Sequence, residues 1–423
     1  MNDATTLVIN AGSSSLKYAC FQGNGLAEKE TARGQIDRIG HTDMKLVHRG
    51  LRGSVERSLA PRQGYTDAFA AMLEILTDPE VGPIRSRDKI QAVGHRVVHG
   101  GDTFTRPTRI DAHVLAEIQR LGALAPLHNP VSAQAIEQSL LAFPGVPQVA
   151  VFDTAFHQTL PPEAFLYGLP YEYYREHKIR RYGFHGTSHQ HVSIRSSDFL
   201  KKPIEDLAII SCHLGNGSSV CAIEGGRSID TSMGFTPTEG LLMGTRCGDI
   251  DPAVLPFLMR SQGMDADTLD KLLTRQGGLL GLSGLTEDMR ELEAAARAGH
   301  EQAATAIGVF CRRVRKYVGA YLALLGRADV IVFTAGIGQG SALVRARTLA
   351  GLEGLGIVID EKRNAEARGF EEVCVISSER SPVTVLVVPT HEEQMIARLT
   401  LTSDLENMDG RDSDGIAGPC GLA

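Results

Sequence analysis

The chain lacks the features that mark several large classes of protein. No apolar run approaches the roughly 20 residues that a membrane-spanning helix requires. The first residues include Asp3 and no basic stretch, so no secretory signal is expected. Positive charge is not in excess. The 43 Lys and Arg residues stand against 50 Asp and Glu, a net charge of −7. That balance argues against a nucleic-acid partner and leaves only local arginine pairs to meet an anionic substrate. The seven cysteines form no C-x-x-C pair. Their odd number, with several inside apolar segments, predicts reduced thiols and a cytoplasmic protein. Cys20, Cys212 and Cys221 are expected as small core residues. Long low-complexity linkers are also absent, so a short hinge is expected between domains. A 43% hydrophobic and 22% charged composition over 423 residues predicts a globular chain of two or three domains.

What is present is concentrated in glycine- and serine-rich turns. Val8 to Phe21, VINAGSSSLKYACF, reads as strand, turn, strand. Ser13, Ser15 and Lys17 are two apart and are expected on one face of the second strand. Gly12 permits a sharp bend and leaves amide hydrogens open to an anion. Hydroxyls, an amine and free amides together suit a nucleotide polyphosphate, although this is not the P-loop pattern. Ala208 to Glu224, AIISCHLGNGSSVCAIE, repeats the layout. Aligning Gly12 with Gly215 gives an offset of 215 − 12 = 203, near half of the chain. Two similar halves follow as the expectation.

Between the hairpins, helices are expected near 65–77 and 111–123, and buried strands at Ile90–His99 and Gln148–Phe152. Asn129 before Pro130 reads as a helix cap, and Asp251-Pro252 repeats the signal. Asp153 falls just past a strand end, where ligands collect in open α/β sheets. A long helix is expected over 299–325. DVIVFTAGIGQGS, residues 329–341, reads as strand, glycine turn and helix start. Thr390 and Glu393 match a capping box. Arg96 lies among apolar residues and Arg246 in a glycine-flanked loop. Two guanidinium forks would suit a carboxylate or a phosphoryl group, and a salt bridge to a neighbouring Asp is the alternative for each. His185, His189 and His191 are close, but no H-E-x-x-H motif is completed. His185 reads as a hydrogen-bond donor, His189 and His191 as structural, and His95 and His99 as satisfied core or rim residues.

Taken together, VINAGSSSLKY, GHRVVHGG, APLHNP, VFDTAFH, YGFHGTSH, CHLGNGSS, MGFTPTEGLLMGTRCG and FTAGIG resemble the acetate kinase family, in the same order from about Leu7 to Leu399. The resemblance implies an α/β fold of two duplicated actin-like (ribonuclease H-like) β-β-β-α-β-α-β-α domains flanking a nucleotide cleft. It implies a first domain over 1–153, completed by a C-terminal helix near 391–404. A second domain over 154–390 would carry nucleotide-binding and dimer surfaces. Beyond the resemblance, the polar, glycine-rich and acidic composition of 405–423 predicts a disordered tail. The implied reaction is Mg2+-dependent (or Mn2+-dependent) transfer from ATP to acetate, giving ADP and acetyl phosphate, in a homodimer.

The resemblance also implies roles. Arg96, Arg246, His185 and Asp153 would be catalytic. Val98, Leu127, Phe184 and Pro237, with the two arginines, would bind acetate. Asn10, Ser13, Ser15 and Lys17 would form one phosphate loop, and His213, Gly215, Asn216 and Gly217 the other. Asp288, Met289, Arg290, Gly336, Ile337 and Gly338 would meet adenosine, while Asn10, Asp153 and Glu392 would position the metal. Met289, Gln339, Gly340 and His391 depart from the family pattern on the nucleotide side. A propionate or other short-chain carboxylate kinase stands beside this reading. So do a sugar kinase with Asp153 as base and a non-catalytic actin-like nucleotide switch.

Overall fold

The computed structural model describes residues 4–23, 29–59, 64–369 and 371–408. They divide into two compact units. One comprises the described residues up to His99, Arg106–Phe152, and the described residues from Glu393 on; the other comprises the described residues of Gly100–Thr105 and Asp153–Glu392.

The first unit is built on an eight-stranded sheet. Its strands are β1 (Ala4–Gly12), β2 (Ser15–Gly23), β3 (Lys29–Asp37), β4 (Lys45–Gly50), β5 (Gly53–Ser58), β6 (Ile90–Val97), β7 (Thr108–Arg109) and β8 (Gln148–Phe152). They lie in the order β5-β4-β3-β2-β1-β6-β8-β7. Leu7, Val8 and Ile9 of β1 are all buried because both faces of the sheet are covered. Leu7 and Ile9 pack with Phe69, Met72 and Ile75 of the helix Tyr65–Leu76. Val8 packs on the other face with Val149, Val151, Ile396 and Ala397. Gly94 of β6 permits that second contact, since a β-carbon there would stand 2.3 Å from Thr400 Oγ1 and 2.9 Å from Ile396.

The second unit holds β9 (Ala208–Leu214), β10 (Ser218–Glu224), β11 (Arg227–Thr231), β12 (Val330–Thr334), β13 (Cys374–Val375) and β14 (Thr384–Val387), in the order β11-β10-β9-β12-β14-β13. From β3 to β7 and from β11 to β13 the two sheets have the same strand senses. Two antiparallel pairings are followed by two parallel ones and a final antiparallel edge. This is the duplicated actin-like architecture.

The helix Glu301–Leu325 carries the core of the second unit. His300 caps it by accepting from Ala303 N at 3.1 Å, and Gly326 ends it at a φ of +69°. Ala303, Ala306, Ile307, Phe310, Val314, Val318 and Tyr321 recur at three- and four-residue intervals and are buried together. Removing the Phe310 ring is expected to lower stability by about 3–5 kcal/mol.

The structure corrects several local readings. The helix Asn129–Ala142 begins at Asn129 itself. Instead of capping, the Asn129 amide donates to the His99 carbonyl at 2.9 Å and its oxygen accepts from His99 N at 3.1 Å. Asp251 and Pro252 form a turn before the helix Val254–Gln262, with Asp251 accepting from Ala253 N at 2.9 Å. The last helix spans Glu392–Met408, so 405–408, the first residues of the tail expected to be disordered over 405–423, are helical, and 409–423 lie outside the described residues.

Candidate functional site

In the first unit, Ser13 and Ser14 connect β1 to β2, with Gly12 opposite Ser15 and Asn10 opposite Lys17. Because β2 begins at Ser15, Ser13 sits in the turn and does not share the strand face of Ser15 and Lys17. Side-chain alternation holds only within extended backbone. The turn is anchored from below: the Tyr65 hydroxyl donates to the carbonyls of Gly12 and Ser15, the latter at 2.6 Å. Burial pushes the Tyr65 pKa up to about 12, so the phenol stays a donor. Ser13 and Lys17 are exposed, while Asn10 and Ser15 are half-buried. The parallel register sets Ile9 against His95, which brings Arg96 Nη1 within 3.3 Å of Asn10 Oδ1. Beneath them His95 meets Gln148 Oε1 at 2.8 Å. His95 and His99 are buried, and desolvation lowers both pKa values to about 4. Val98 is buried just past β6, whereas Leu127 is 53% exposed.

In the second unit, Asp153 is buried and its carbonyl accepts from Gly186 N at 2.9 Å. A β-carbon on Gly186 would stand 2.3 Å from that oxygen, so only glycine fits there. Gly186 opens the helix Gly186–Leu200, and His185 before it takes a φ of +58°. A non-glycine residue held in this region is strained, and such strain clusters at functional sites. The His185 ring stacks on His213 at 4.1 Å between centroids, and its Nδ1 lies 2.9 Å from Ser219 Oγ.

Gly215 to Gly217 form the turn between β9 and β10, closed by Gly215 N donating to Gly217 O at 3.1 Å. Asn216 packs against Gly244, whose N donates to the Asn216 carbonyl at 3.0 Å. That contact draws the Arg246 loop to the turn. A β-carbon on Gly217 would stand 3.4 Å from Arg246 Nη1 and 3.4 Å from His185 Nε2. The structure thus brings Arg246, His185 and the second glycine turn together. Arg246 Nη1 donates to Pro237 O at 3.1 Å, and Phe184 is buried nearby in sequence. Among the described residues no carboxylate pairs with Arg246, and burial lowers its pKa. The salt-bridge alternative is therefore excluded for Arg246. A partly desolvated cation facing neutral partners is unfavourable unless an anion completes it.

Glu392 Oε1 lies 3.9 Å from His213 Nδ1. Among the described residues no three His, Cys, Asp or Glu side chains converge to hold a metal. An ion carried by nucleotide phosphates and water needs only one or two carboxylates, and Asp153 and Glu392 are of that chemistry.

The residues expected to meet adenosine are scattered in role. Asp288 caps the helix Met289–Arg297 through Arg290 N at 2.8 Å, and its ion pair with the exposed Arg290 at 2.5 Å holds its pKa down at about 2. Met289 is 4% exposed and belongs to the core with Leu292 and Leu279. The expected glycine turn after β12 is instead the helix Ala335–Gly340, entered through Ala335 at a φ of +63°. Gly336 is exposed, Ile337 half-buried and Gly338 buried. Thr390 forms no local capping box: its hydroxyl accepts from Ala335 N at 2.8 Å and meets Thr334 Oγ1 at 2.7 Å. Gln339 is buried, with its amide on Gly369 O at 2.5 Å.

Sequence reasoning missed a buried polar cluster behind His185. His157 lies between Ser228 Oγ at 2.8 Å and Phe184 O at 2.9 Å. His189 lies between Ser211 Oγ and Ser219 Oγ, both at 2.8 Å, and Ser188 Oγ lies 2.8 Å from His213 Nδ1. Ser211 and His213, two apart in an otherwise apolar strand, were the available signal.

Residues 5–398 match the profile of the Acetokinase family. The chain is 48% identical over 396 residues to an acetate kinase of Thermoanaerobacter pseudethanolicus, covering 93% of this chain and 97% of that one. It is also 48% identical to an acetate kinase of Methanosarcina thermophila, with 93% and 95% covered. Among solved structures it is similar to an acetate kinase of Porphyromonas gingivalis, with TM-score 0.88, 42% identity and 94% and 99% coverage. A propionate kinase of Francisella tularensis gives TM-score 0.87 at 39% identity, with 94% and 99% covered.

Proposed function

Because the chain belongs to the acetokinase family, we propose that it transfers the γ-phosphoryl group of ATP to acetate, reversibly, giving acetyl phosphate and ADP. The observation that carries this reading is Arg246: a half-buried guanidinium with no carboxylate partner among the described residues, set against His185 and the Gly215–Gly217 turn.

Acetate is already an anion at neutral pH, so the acceptor oxygen needs no general base. The barrier is electrostatic: two anions must approach and hold an in-line geometry. Arg246 and Arg96 neutralise the carboxylate and the group in transfer, and His185 donates to the latter. Val98, Leu127, Phe184 and Pro237 take the acetate methyl. The amides of Gly215, Asn216 and Gly217, with Asn10, Ser13, Ser15, Lys17 and His213, hold the donor phosphates. Asp288, Arg290, Gly336, Ile337 and Gly338 receive the nucleoside. Met289 acts from the core behind them. Mg2+ suits the oxygen donors of Asp153, Glu392 and Asn10, which would hold it, and when bound would neutralise phosphate charge. Asp153 is assigned to that task because carboxyl phosphorylation leaves it no hydroxyl to deprotonate.

We further propose a cytoplasmic homodimer. The buried thiols of Cys20, Cys212 and Cys221 support a reducing compartment. Phe257 and Met259, 60% and 46% exposed, support self-association. Light scattering of the wild type and Phe257→Glu tests this: a dimer that the substitution leaves intact removes that surface.

Because the propionate kinase above is 39% identical over most of the chain, a propionate preference is the second reading. One methylene is worth about 1–3 kcal/mol in a small pocket, so kcat/KM for acetate, propionate and butyrate decides it. A higher value for propionate would replace the acetate reading.

A further inference from the structure

The Ser211 hydroxyl is fully buried in β9. Its hydrogen-bond partner among the described residues is His189 Nδ1, 2.8 Å away. A buried hydroxyl hydrogen without an acceptor is strongly disfavoured, so Ser211 donates and His189 Nδ1 accepts. Burial holds His189 far below the ordinary histidine pKa. The ring is therefore neutral, and its single hydrogen is on Nε2. That hydrogen meets Ser219 Oγ at 2.8 Å. Having accepted it, the Ser219 hydroxyl turns its own hydrogen to its other partner, His185 Nδ1, at 2.9 Å. Nδ1 of His185 is then an acceptor, and a neutral imidazole must carry its hydrogen on Nε2.

We propose that Ser211, His189 and Ser219 form a one-way hydrogen-bond chain that fixes His185 as the Nε2–H tautomer. This rests on the reading that His185 meets the transferring phosphoryl group. Nε2 is the His185 atom beside Gly217 and Arg246. The proposed tautomer presents a hydrogen-bond donor to an anion there, whereas the other would present a lone pair. The reversed chain would strand the Ser211 hydrogen, which sets the direction. Neighbouring rings do not oppose it. His157 must donate from Nε2 to the Phe184 carbonyl at 2.9 Å, so its Nδ1 accepts from Ser228. The stack on His213 holds the plane of the His185 ring. Ser211, His189 and Ser219 are positioning residues.

The test is imidazole nitrogen NMR on the full chain labelled with 15N-histidine at pH 8, with the His185 signals assigned by their loss in His185→Asn. The expected pattern is a protonated Nε2 and a bare Nδ1. Ser211→Ala removes the directing donor without touching His185. It should shift His185 toward the Nδ1–H form and lower kcat about tenfold, the loss of roughly one hydrogen bond. KM for acetate and ATP should stay within about twofold of wild type. Ser219→Ala should act in the same direction. An Nδ1–H pattern in the wild type overturns the proposal. So does a Ser211→Ala enzyme with an unchanged tautomer, whether or not kcat falls. Full activity in His185→Asn would instead overturn the underlying role of His185, while the spectrum still decides the tautomer.

Discussion

Nε2 of His185 and Nη1 of Arg246 face the same glycine, each 3.4 Å from where a β-carbon of Gly217 would stand. The space is wide enough for a methyl group and, in the proposed reaction, is needed by a phosphoryl oxygen. Gly217→Ala should therefore fold normally and fail in turnover. We expect kcat to fall at least about tenfold, since small misplacements at a reacting centre are amplified. The thermal unfolding midpoint should stay within about 2 °C of wild type, the range for a surface-like change in a chain this size. A methyl group that lowers the midpoint and spares kcat would place Gly217 in the scaffold instead.

Arg246→Ala should lose about 3 kcal/mol or more of transition-state stabilisation, comparable to removing a key oxyanion donor. Arg96→Ala should lose a similar amount. Arg246→Lys should not restore activity, because a point charge cannot hold Pro237 O and a planar anion together. The measurement is kcat/KM for acetate at saturating ATP. A lysine variant within threefold of wild type would contradict the fork geometry.

Arg345 is the counter-example, a buried arginine with no catalytic task. Its guanidinium donates to Asn364 Oδ1 at 2.8 Å and to the carbonyls of Gly338, Gln339 and Asn364 at 2.9, 2.7 and 2.7 Å. It ties the end of the helix Ala335–Gly340 to the helix Glu361–Glu366. Arg345→Ala strands these carbonyls and should lower stability by about 3–5 kcal/mol. Denaturant unfolding reads the loss. An unchanged midpoint would show that water replaces the side chain.

Four buried histidines make the protein acid-sensitive. Burial lowers His95, His99 and His157 to about 4, and His189 also lies well below its ordinary value. In the unfolded chain each titrates near 6.5. Between those values the unfolded state binds more protons, so stability is full above about pH 6.5 and is lost as pH falls toward 4. Each histidine adds about 1.4 kcal/mol per pH unit to that slope. Unfolding midpoints at pH 7.5, 6.5, 5.5 and 4.5 test this. A flat profile would mean that these rings are charged in the fold.

The parts legible in the sequence were those set by local pattern. The two hairpins, the Gln148–Phe152 strand and the long helix after His300 follow from alternation, apolar runs and 3.6-residue spacing. The repeated strand senses bear out the duplicated architecture. Two misreadings share one cause: a polar side chain suited to a local cap was taken by a distant backbone. Asn129 went to His99, and Thr390 went to Ala335. Met289 and Gln339, departures on the nucleotide side, are buried. Their differences from the family pattern are thus matched by interior packing, which spacing along the chain does not reveal. The pairing of Ser211 with His189 was hidden for the same reason, since nothing in sequence says that residues 22 apart share a hydrogen bond.

The central claim is that Arg246 completes its charge with the anions of a carboxyl phosphorylation. The most direct measurement is ATP-dependent hydroxamate formation from acetate and hydroxylamine by wild type and Arg246→Ala. The account predicts one ADP per acetyl hydroxamate in the wild type and a loss of about 100-fold or more in the variant. ATP turnover without hydroxamate, or equal rates in the two proteins, would contradict it.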